Sequence, residues 1–461
     1  MGKYDLIVVG SGPGGYVAAI RASQLGMRTA VVEQDELGGV CLNWGCIPTK
    51  SILHSAEQFD AVARGVPGLV ADSVRPDYPA VIDASRKAAR RLSRGVRSLM
   101  KKNRIDVLAG RGELGGPGQV VVRTQASEEV HECDRTLLAT GSSEWVFPGV
   151  EVDGQRVLTS REALDSKRLP ESIAIVGGGA VGVEFAYAYA CYGVRVTLIE
   201  LQDQLLPGFD RQIAEELARA FERRGISVLL GTSYRSLERP AEGVSLTVEG
   251  QGEEREVSAD QVLFAVGRRA RVDGLGLEGR GVEVKDGFIR VGEDLRTTAP
   301  DVWAIGDCNG PPLLAHAASH EGVAAAEFMA GVRRRGVDPL LIPGNVYCQP
   351  QVATIGLSEA QARERGHDVQ VGKLPFVASG KAVATGHTTG FVKLVADSRY
   401  GEVLGCQIIG AGATEMINEI AFAMTLECSV TEVAEVCRAH PTLSEVLAEA
   451  ALSAEGRAIN F

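Results

Sequence analysis

A chain of 461 residues is long enough for roughly three domains, each with its own core. With 45% hydrophobic and 23% charged residues it has an ordinary globular composition, and its formal charge of -11 argues against nucleic acid and membrane surfaces as partners, since either would want a basic patch. No apolar run approaches the ~20 residues that span a bilayer, and nine cysteines of which only the first two lie close together are not a disulfide framework, so a reducing cytoplasm is the expected compartment.

The first apolar run, Tyr4 to Val9, is too short for a signal-peptide core and ends in glycine, as a buried strand does. After it come Gly10, Gly12 and Gly15 in the spacing G-x-G-x-x-G, with Gly14 inside the motif, then a helical stretch closed by Gly26 and a second apolar strand ending in Glu33. The same pattern recurs without a gap as Gly177, Gly179, Gly182, Gly193 and Glu200. Each is a dinucleotide-binding βαβ unit. One glycine makes the tight turn, the next lets backbone approach a pyrophosphate, and the third lets the helix pack close to the strand, while the acid accepts from a ribose.

Between the units lies Gly38 to Lys50, with Cys41 and Cys46 five positions apart. Such a pair can close a small disulfide ring and open it again, and a thiolate near a helix N-terminus has a lowered pKa, which suits thiol exchange. Two buried free cysteines, or half of a metal site, are the blander readings; a zinc site needs more ligands at metal spacing.

A helical region follows over about 50–64, then a basic amphipathic stretch over about 79–103 that reads as a solvated helix face. Residues 118–141 read as hairpin strands running into the turn Thr140-Gly141-Ser142, and a similar strand ends at Gly267; both turns suit a place beneath a nucleotide. Asp307 ends another strand beside a glycine, where it can accept from a ribityl or ribose hydroxyl. From about 341 the pattern changes to strands near 345–356, 389–396 and 403–410 followed by three helical stretches over 413–453, an α+β domain with no nucleotide motif.

Taken in order, the boxes Gly10 to Gly15, CLNWGCIPTK, ATGS, GGGAVGVEFA, AVGRR, AIGD, LAHAASHEG and AHPTLSE resemble the flavoprotein disulfide reductases over essentially the whole chain. The resemblance implies an α/β fold of two doubly wound Rossmann-like domains with a C-terminal α+β dimerisation domain. Its segments would be 1–145 and 271–340 for FAD, 146–270 for NAD and 341–461 for a homodimer. It implies that Cys46 lies next to the flavin and Cys41 exchanges with substrate. Lys50 would approach the flavin paired with Glu184, and Glu33, Asp307 and Ala315 would help hold FAD. His440, oriented by Glu445, would be the general base, serving the partner chain.

The expected reaction is oxidation of dihydrolipoyl groups, on lipoamide or on lipoyl domains of 2-oxoacid dehydrogenase or glycine cleavage systems. Glu200 would bond a free ribose hydroxyl and repel a 2′-phosphate, which favours NAD over NADP. Members with a C-terminal redox pair are set aside because the last cysteine is Cys437. An NADH-dependent reductase of another small disulfide is the alternative. Three local readings stay open. Glu184 can serve as a helix N-terminal charge, Thr442 and Glu445 have the spacing of a capping box, and Arg438 and Ser379-Gly380-Lys381 depart from the family pattern of a second His and of Asn-Gly-Arg.

Overall fold

Leu6, Ile7 and Val8 are fully buried, so the strand Tyr4–Val9 runs through the middle of a sheet and has neighbours on both sides. In this computed structural model, which describes residues 3–461, it pairs in parallel with Thr29–Glu33 and with the end of the long strand Glu128–Leu138. Met1 and Gly2, which begin the expected segment 1–145, lie outside the described residues. Asp106–Ala109 and Val302–Ala304 extend the parallel part, and Gln119–Arg123 and Arg111–Leu114 add an antiparallel wing to complete seven strands. The expected hairpin over 118–141 is this wing joined to its long strand.

A second, five-stranded parallel sheet repeats the arrangement around Ser172–Val176, flanked by Arg195–Ile199 and Gln261–Phe264. The glycines explain why both units close the same way. Gly10 (φ +100°) and Gly177 (φ +111°) take backbone angles that side chains avoid, and a Cβ on either would meet a carbonyl of the next strand, Ala139 or Ala265. A Cβ on Gly15 would strike the carbonyl oxygen of Gly10, and one on Gly182 that of Gly177, so each helix approaches its strand only as glycine.

The helix after the cysteine pair begins at Cys46 rather than near 50 and runs to Arg64. The basic stretch is a helix, Tyr78–Lys102, capped by Asp77 accepting from the Ala80 N–H at 3.2 Å. The C-terminal part is a five-stranded antiparallel sheet with helices Ala413–Thr425 and Glu445–Ala454 packed on it. One of its strands, Val369–Pro375, was not foreseen. Its apolar alternation is broken by Gly372 and closed by proline, and Gly372 is where the sheet meets the carbonyl of Ala450 too closely for any Cβ. Among the described residues no helix is long and apolar enough to cross a membrane.

A buried ion pair fastens this sheet to the second nucleotide unit. Lys393 and Asp210 have side chains 4% and 5% exposed and pair at 2.9 Å, while Glu359 accepts from the same ammonium at 2.9 Å. Asp210 also accepts from the Gln212 N–H at the start of helix Arg211–Arg223. Lys393→Met strands a buried carboxylate and is expected to destabilise the protein by about 3–5 kcal/mol in urea unfolding, with Asp210→Asn in the same background recovering part of it. The Lys393 hydrogen bond holds the Glu359 carboxyl below its ordinary range. That contribution is present above the ordinary carboxylate pKa of about 4.3 and is lost as pH falls through the depressed value.

Candidate active site

Cys41 lies in the short helix Gly39–Trp44 and Cys46 is the first residue of Cys46–Arg64, with only Gly45 between the two helices. The break brings the two Cα atoms to 4.7 Å, and the sulfurs form a disulfide. Asn43 fixes the loop before it, donating from Nδ2 to the carbonyls of Leu37 and Gly39 at 3.1 and 3.0 Å. Cys46 therefore stands at a helix N-terminus, where a thiolate is stabilised. Other thiols are poorer candidates. Burial pushes Cys191 and Cys308 up to about 11, which keeps them protonated at neutral pH.

The disulfide borders a cavity of about 930 Å³. Of the residues expected at the site, Gly10, Gly12, Gly14, Gly15, Glu33, Cys41, Cys46, Lys50, Thr140, Gly141, Ser142, Glu184, Asp307 and Ala315 line it. Lys50, one turn along from Cys46, meets both carboxylate oxygens of Glu184 at 3.0 and 3.1 Å, and Tyr347 donates its backbone N–H to the same carboxylate at 3.0 Å. Helix Ala180–Cys191 starts four residues before Glu184, so this carboxylate sits past the first turn and pairs rather than caps.

Glu33 accepts from the Ser11 N–H at 3.0 Å and from the Gln34 and Asp35 N–H groups at 2.8 and 2.9 Å. Glu200 repeats this with the Gly178 N–H at 2.6 Å and the Gln202 N–H at 2.8 Å. Each carboxylate has about four lone-pair sites; the Ser11 hydroxyl is a fourth donor to Glu33 and fills them, whereas Glu200, with two donors, retains capacity for more. Gly177, Gly179, Gly182, Glu200 and Gly267 are not among the described residues lining the cavity; they form their own cradle around the second unit.

Neither His440 nor Glu445 is among the cavity's described lining residues, so a single chain does not bring the imidazole to its own disulfide cavity. His440 is 79% exposed, and its Nδ1 lies 2.9 Å from Glu445 Oε1. The other oxygen accepts from the Thr442 N–H at 2.8 Å, while the Thr442 hydroxyl donates to the Ala439 carbonyl instead of closing a capping box. These two bonds, the backbone one first, hold the Glu445 carboxyl below its ordinary range. It is an ionised acceptor at neutral pH, so Nδ1 donates to it, and in the neutral imidazole the lone pair lies on Nε2. Arg438 is turned away, ion-paired with Glu419 and donating to the carbonyls of Val433 and Val436.

Sequence reasoning missed Arg268 as a site residue. It donates from Nε to the Ser142 hydroxyl at 2.7 Å, pairs with Glu144 at 3.2 Å, and so fixes the hydroxyl that donates to Asp307. It missed Trp44 and Arg86 as well, and only the position of Trp44 between the cysteines could have flagged it. The Arg86 guanidinium lies 4.0 Å over the Trp44 ring and donates to the Asn43 carbonyl.

Residues 4–322 match the family described as pyridine nucleotide-disulphide oxidoreductase, and 342–451 match its dimerisation domain. The chain belongs to the pyridine nucleotide-disulphide oxidoreductases. It is 43% identical over 469 residues to a dihydrolipoyl dehydrogenase of Zymomonas mobilis, covering 99% of each chain, and 42% identical over 479 residues to one of Bacillus subtilis, covering 100% of this chain and 99% of that one. Among solved structures, LpdA of Mycobacterium tuberculosis superposes with TM-score 0.90 at 29% identity, covering 97% of this chain and 98% of that one. The Cu(II) complex of the HOCl-induced flavoprotein disulfide reductase RclA of Escherichia coli gives 0.87 at 27% identity, covering 98% and 99%.

The glycine cradles fit the dinucleotides of this family. Helices Pro13–Gln24 and Ala180–Cys191 both lack a side-chain cap, so their first N–H groups are available to a pyrophosphate. A Cβ on Gly12 or Gly179 would meet nothing within 4 Å and would point into the space a ligand needs. Gly12→Ala is therefore expected to keep the apoprotein's stability within about 0.5 kcal/mol while weakening flavin loading at least about tenfold. Gly15→Ala should cost about 1–3 kcal/mol through its clash with Gly10. Thermal unfolding of the apoprotein and bound-flavin absorbance per chain read the two effects separately.

Proposed function

We propose that this oxidoreductase oxidises dihydrolipoyl groups to the cyclic disulfide with NAD+ as acceptor, through FAD and the Cys41–Cys46 disulfide. The observation that carries the reading is the placement of that disulfide and the Lys50–Glu184 pair on one cavity with the first glycine cradle. When bound, FAD supplies the two-electron relay between the thiol pair and NAD+. Segments 1–145 and 271–340 would hold FAD, with Gly10, Gly12, Gly14, Gly15, Glu33, Thr140 to Ser142, Asp307 and Ala315 around it. Segment 146–270 would hold NAD on Gly177, Gly179, Gly182, Glu200 and Gly267. Segment 341–461 would form the homodimer.

The chain's own residues do the thiol chemistry. His440 Nε2 removes a proton from one thiol of the substrate, and the thiolate attacks Cys41 and breaks the S–S bond, with Cys46 leaving as a thiolate beside Lys50 and the helix N-terminus. The second substrate thiol then attacks the substrate sulfur of the mixed disulfide, releases the cyclic disulfide and leaves its proton and the electron pair on Cys41. Partners are free dihydrolipoamide and lipoyl domains of 2-oxoacid dehydrogenase or glycine cleavage systems. A disulfide that must open in every cycle suits a reducing cytoplasm.

The test is turnover of dihydrolipoamide with NAD+. Cys41→Ser, Cys46→Ser and His440→Gln should each lower kcat at least about 100-fold, whereas His440→Gln should leave NADH-driven reduction of a dye that bypasses the thiols nearly intact. No turnover of dihydrolipoamide, with brisk NADH-dependent reduction of another small disulfide, would replace this assignment with that one.

His440 is exposed and outside its own chain's cavity, so we place it in the partner's site. Mixed dimers of Cys46→Ser and His440→Gln chains should regain one intact site. Activity should rise from near zero toward about half of the wild-type value per dimer as subunits exchange. Purified mixed dimers that stay inactive would refute the shared site.

A further inference from the structure

The helix Tyr78–Lys102 carries a charge pattern that its own fold does not use. Its buried stripe includes Ile82, Ala89, Val96 and Met100, and the opposite side exposes Lys87, Arg90, Arg91, Arg94, Arg97 and Lys101. Among the described residues none of these six is in an ion pair; the helix's own pairs are Arg86 with Asp165 and Asp83 with Lys167. Lys87 and Arg91, Arg90 and Arg94, and Arg97 and Lys101 stand four residues apart, where like charges repel. The helix dipole favours cations in the last turn, which accounts for Lys101 but not for Arg90, Arg91 or Arg94. A chain of net charge -11 thus gathers unpaired positive charge on one helix.

The same helix touches the redox loop. Arg86 lies over Trp44 and donates to the Asn43 carbonyl, and both residues sit between Cys41 and Cys46. Arg90 follows Arg86 by one turn, so the cationic face begins one helical turn from the residue that holds the loop between the cysteines. A partner seated on that face would hold its reactive group within reach of the site.

We propose that the cationic face of helix Tyr78–Lys102 docks an acidic protein domain that carries the dithiol substrate on a flexible arm. The inference rests on the dihydrolipoyl activity proposed above. Charge complementarity would speed encounter more than it would tighten the complex. A membrane suits the face poorly, because the outward side of a surface-bound helix is apolar toward the lipid, whereas here it is Arg and Lys, with Leu92 and Leu99 as its only large exposed apolar side chains. Duplex DNA suits it less than a compact domain, because phosphates running beyond the helix would meet a chain whose remaining surface is acidic.

The holoenzyme is assayed with free dihydrolipoamide and with a reduced lipoyl domain of net negative charge, at about 10 mM and about 500 mM ionic strength. Arg90→Glu/Arg94→Glu is expected to lower kcat/KM for the domain at least about tenfold at low ionic strength and to leave free dihydrolipoamide within about twofold. Arg90→Gln/Arg94→Gln should give a smaller loss in the same direction, and salt should lower the wild-type value for the domain. If the glutamate variant unfolds, the glutamine variant and the salt titration decide. Domain turnover that is unchanged in the variants, or indifferent to salt in the wild type, overturns the proposal, as does a DNA duplex that blocks domain turnover at equimolar concentration. A wild type that fails to oxidise free dihydrolipoamide overturns the activity assignment, and the docking inference falls with it.

Discussion

The contact between Lys50 and Glu184 joins three stretches far apart in sequence. Lys50 belongs to the helix that starts at Cys46, Glu184 to the helix that starts after the second glycine cradle, and the N–H that completes the carboxylate's partners comes from Tyr347 at the edge of the C-terminal sheet. A carboxylate 6% exposed is costly unless its oxygens are satisfied, and here an ammonium and an amide satisfy them. Lys50 itself is 34% exposed, so solvent screens much of the attraction and the pair adds little net stability. Its effect is geometric. The helix carrying one sulfur and the helix entering the second nucleotide unit are tied to each other at the wall of the cavity.

The two nucleotide units answer one steric problem with the same residue types, and they differ where their surroundings differ. Glu33 and Glu200 both accept backbone N–H groups from their own glycine loops. In the first unit Ser11 also donates its hydroxyl to Glu33. In the second the matching position is Gly178, where a Cβ would press on Leu205 and on Glu200 itself, so the second acid has no room for a hydroxyl beside it. Glu200 is accordingly buried to 7% exposure, whereas Glu33 is half-buried at the mouth of the large cavity. The second acid has two backbone donors against three for the first but is the more buried, and a change at Glu200 disturbs the turn at Gly178, whose N–H it accepts.

Much of this was legible in the sequence because the features are local. Glycine spacing, the cysteine pair, the strand-ending acids and the His440 box each fit within a few dozen residues, and steric or chemical necessity ties each to its neighbours. The strand Val369–Pro375 was missed because periodicity is the signal for strands, and Gly372 removes it at the point where helix Glu445–Ala454 packs closest. Arg268 was missed for another reason. Its partners Ser142 and Glu144 lie on a strand more than a hundred residues earlier, and no spacing rule connects an arginine to a hydroxyl across two segments. The Thr442–Glu445 spacing closes half of a capping box: the Thr442 N–H donates to one carboxylate oxygen, but the hydroxyl turns back to Ala439, and the other carboxylate oxygen meets His440.

Selectivity among the chain's thiols follows from placement rather than from number. Burial keeps Cys308 and Cys191 protonated near neutral pH, and desolvation raises Cys348 and Cys406 further still. Cys46 alone combines a helix N-terminus, a cation one turn away and an open cavity wall. The role proposed for His440, a base in the partner's site, requires a side chain that its own chain leaves uncovered. His440 meets it at 79% exposure, with one ring nitrogen committed to an ionised Glu445 and the other free. A buried imidazole would lose that access, and an unoriented one would spread its lone pair over many directions. The Thr442 N–H bond to Glu445 therefore matters beyond the turn it closes, because it sets the carboxylate that orients the His440 ring.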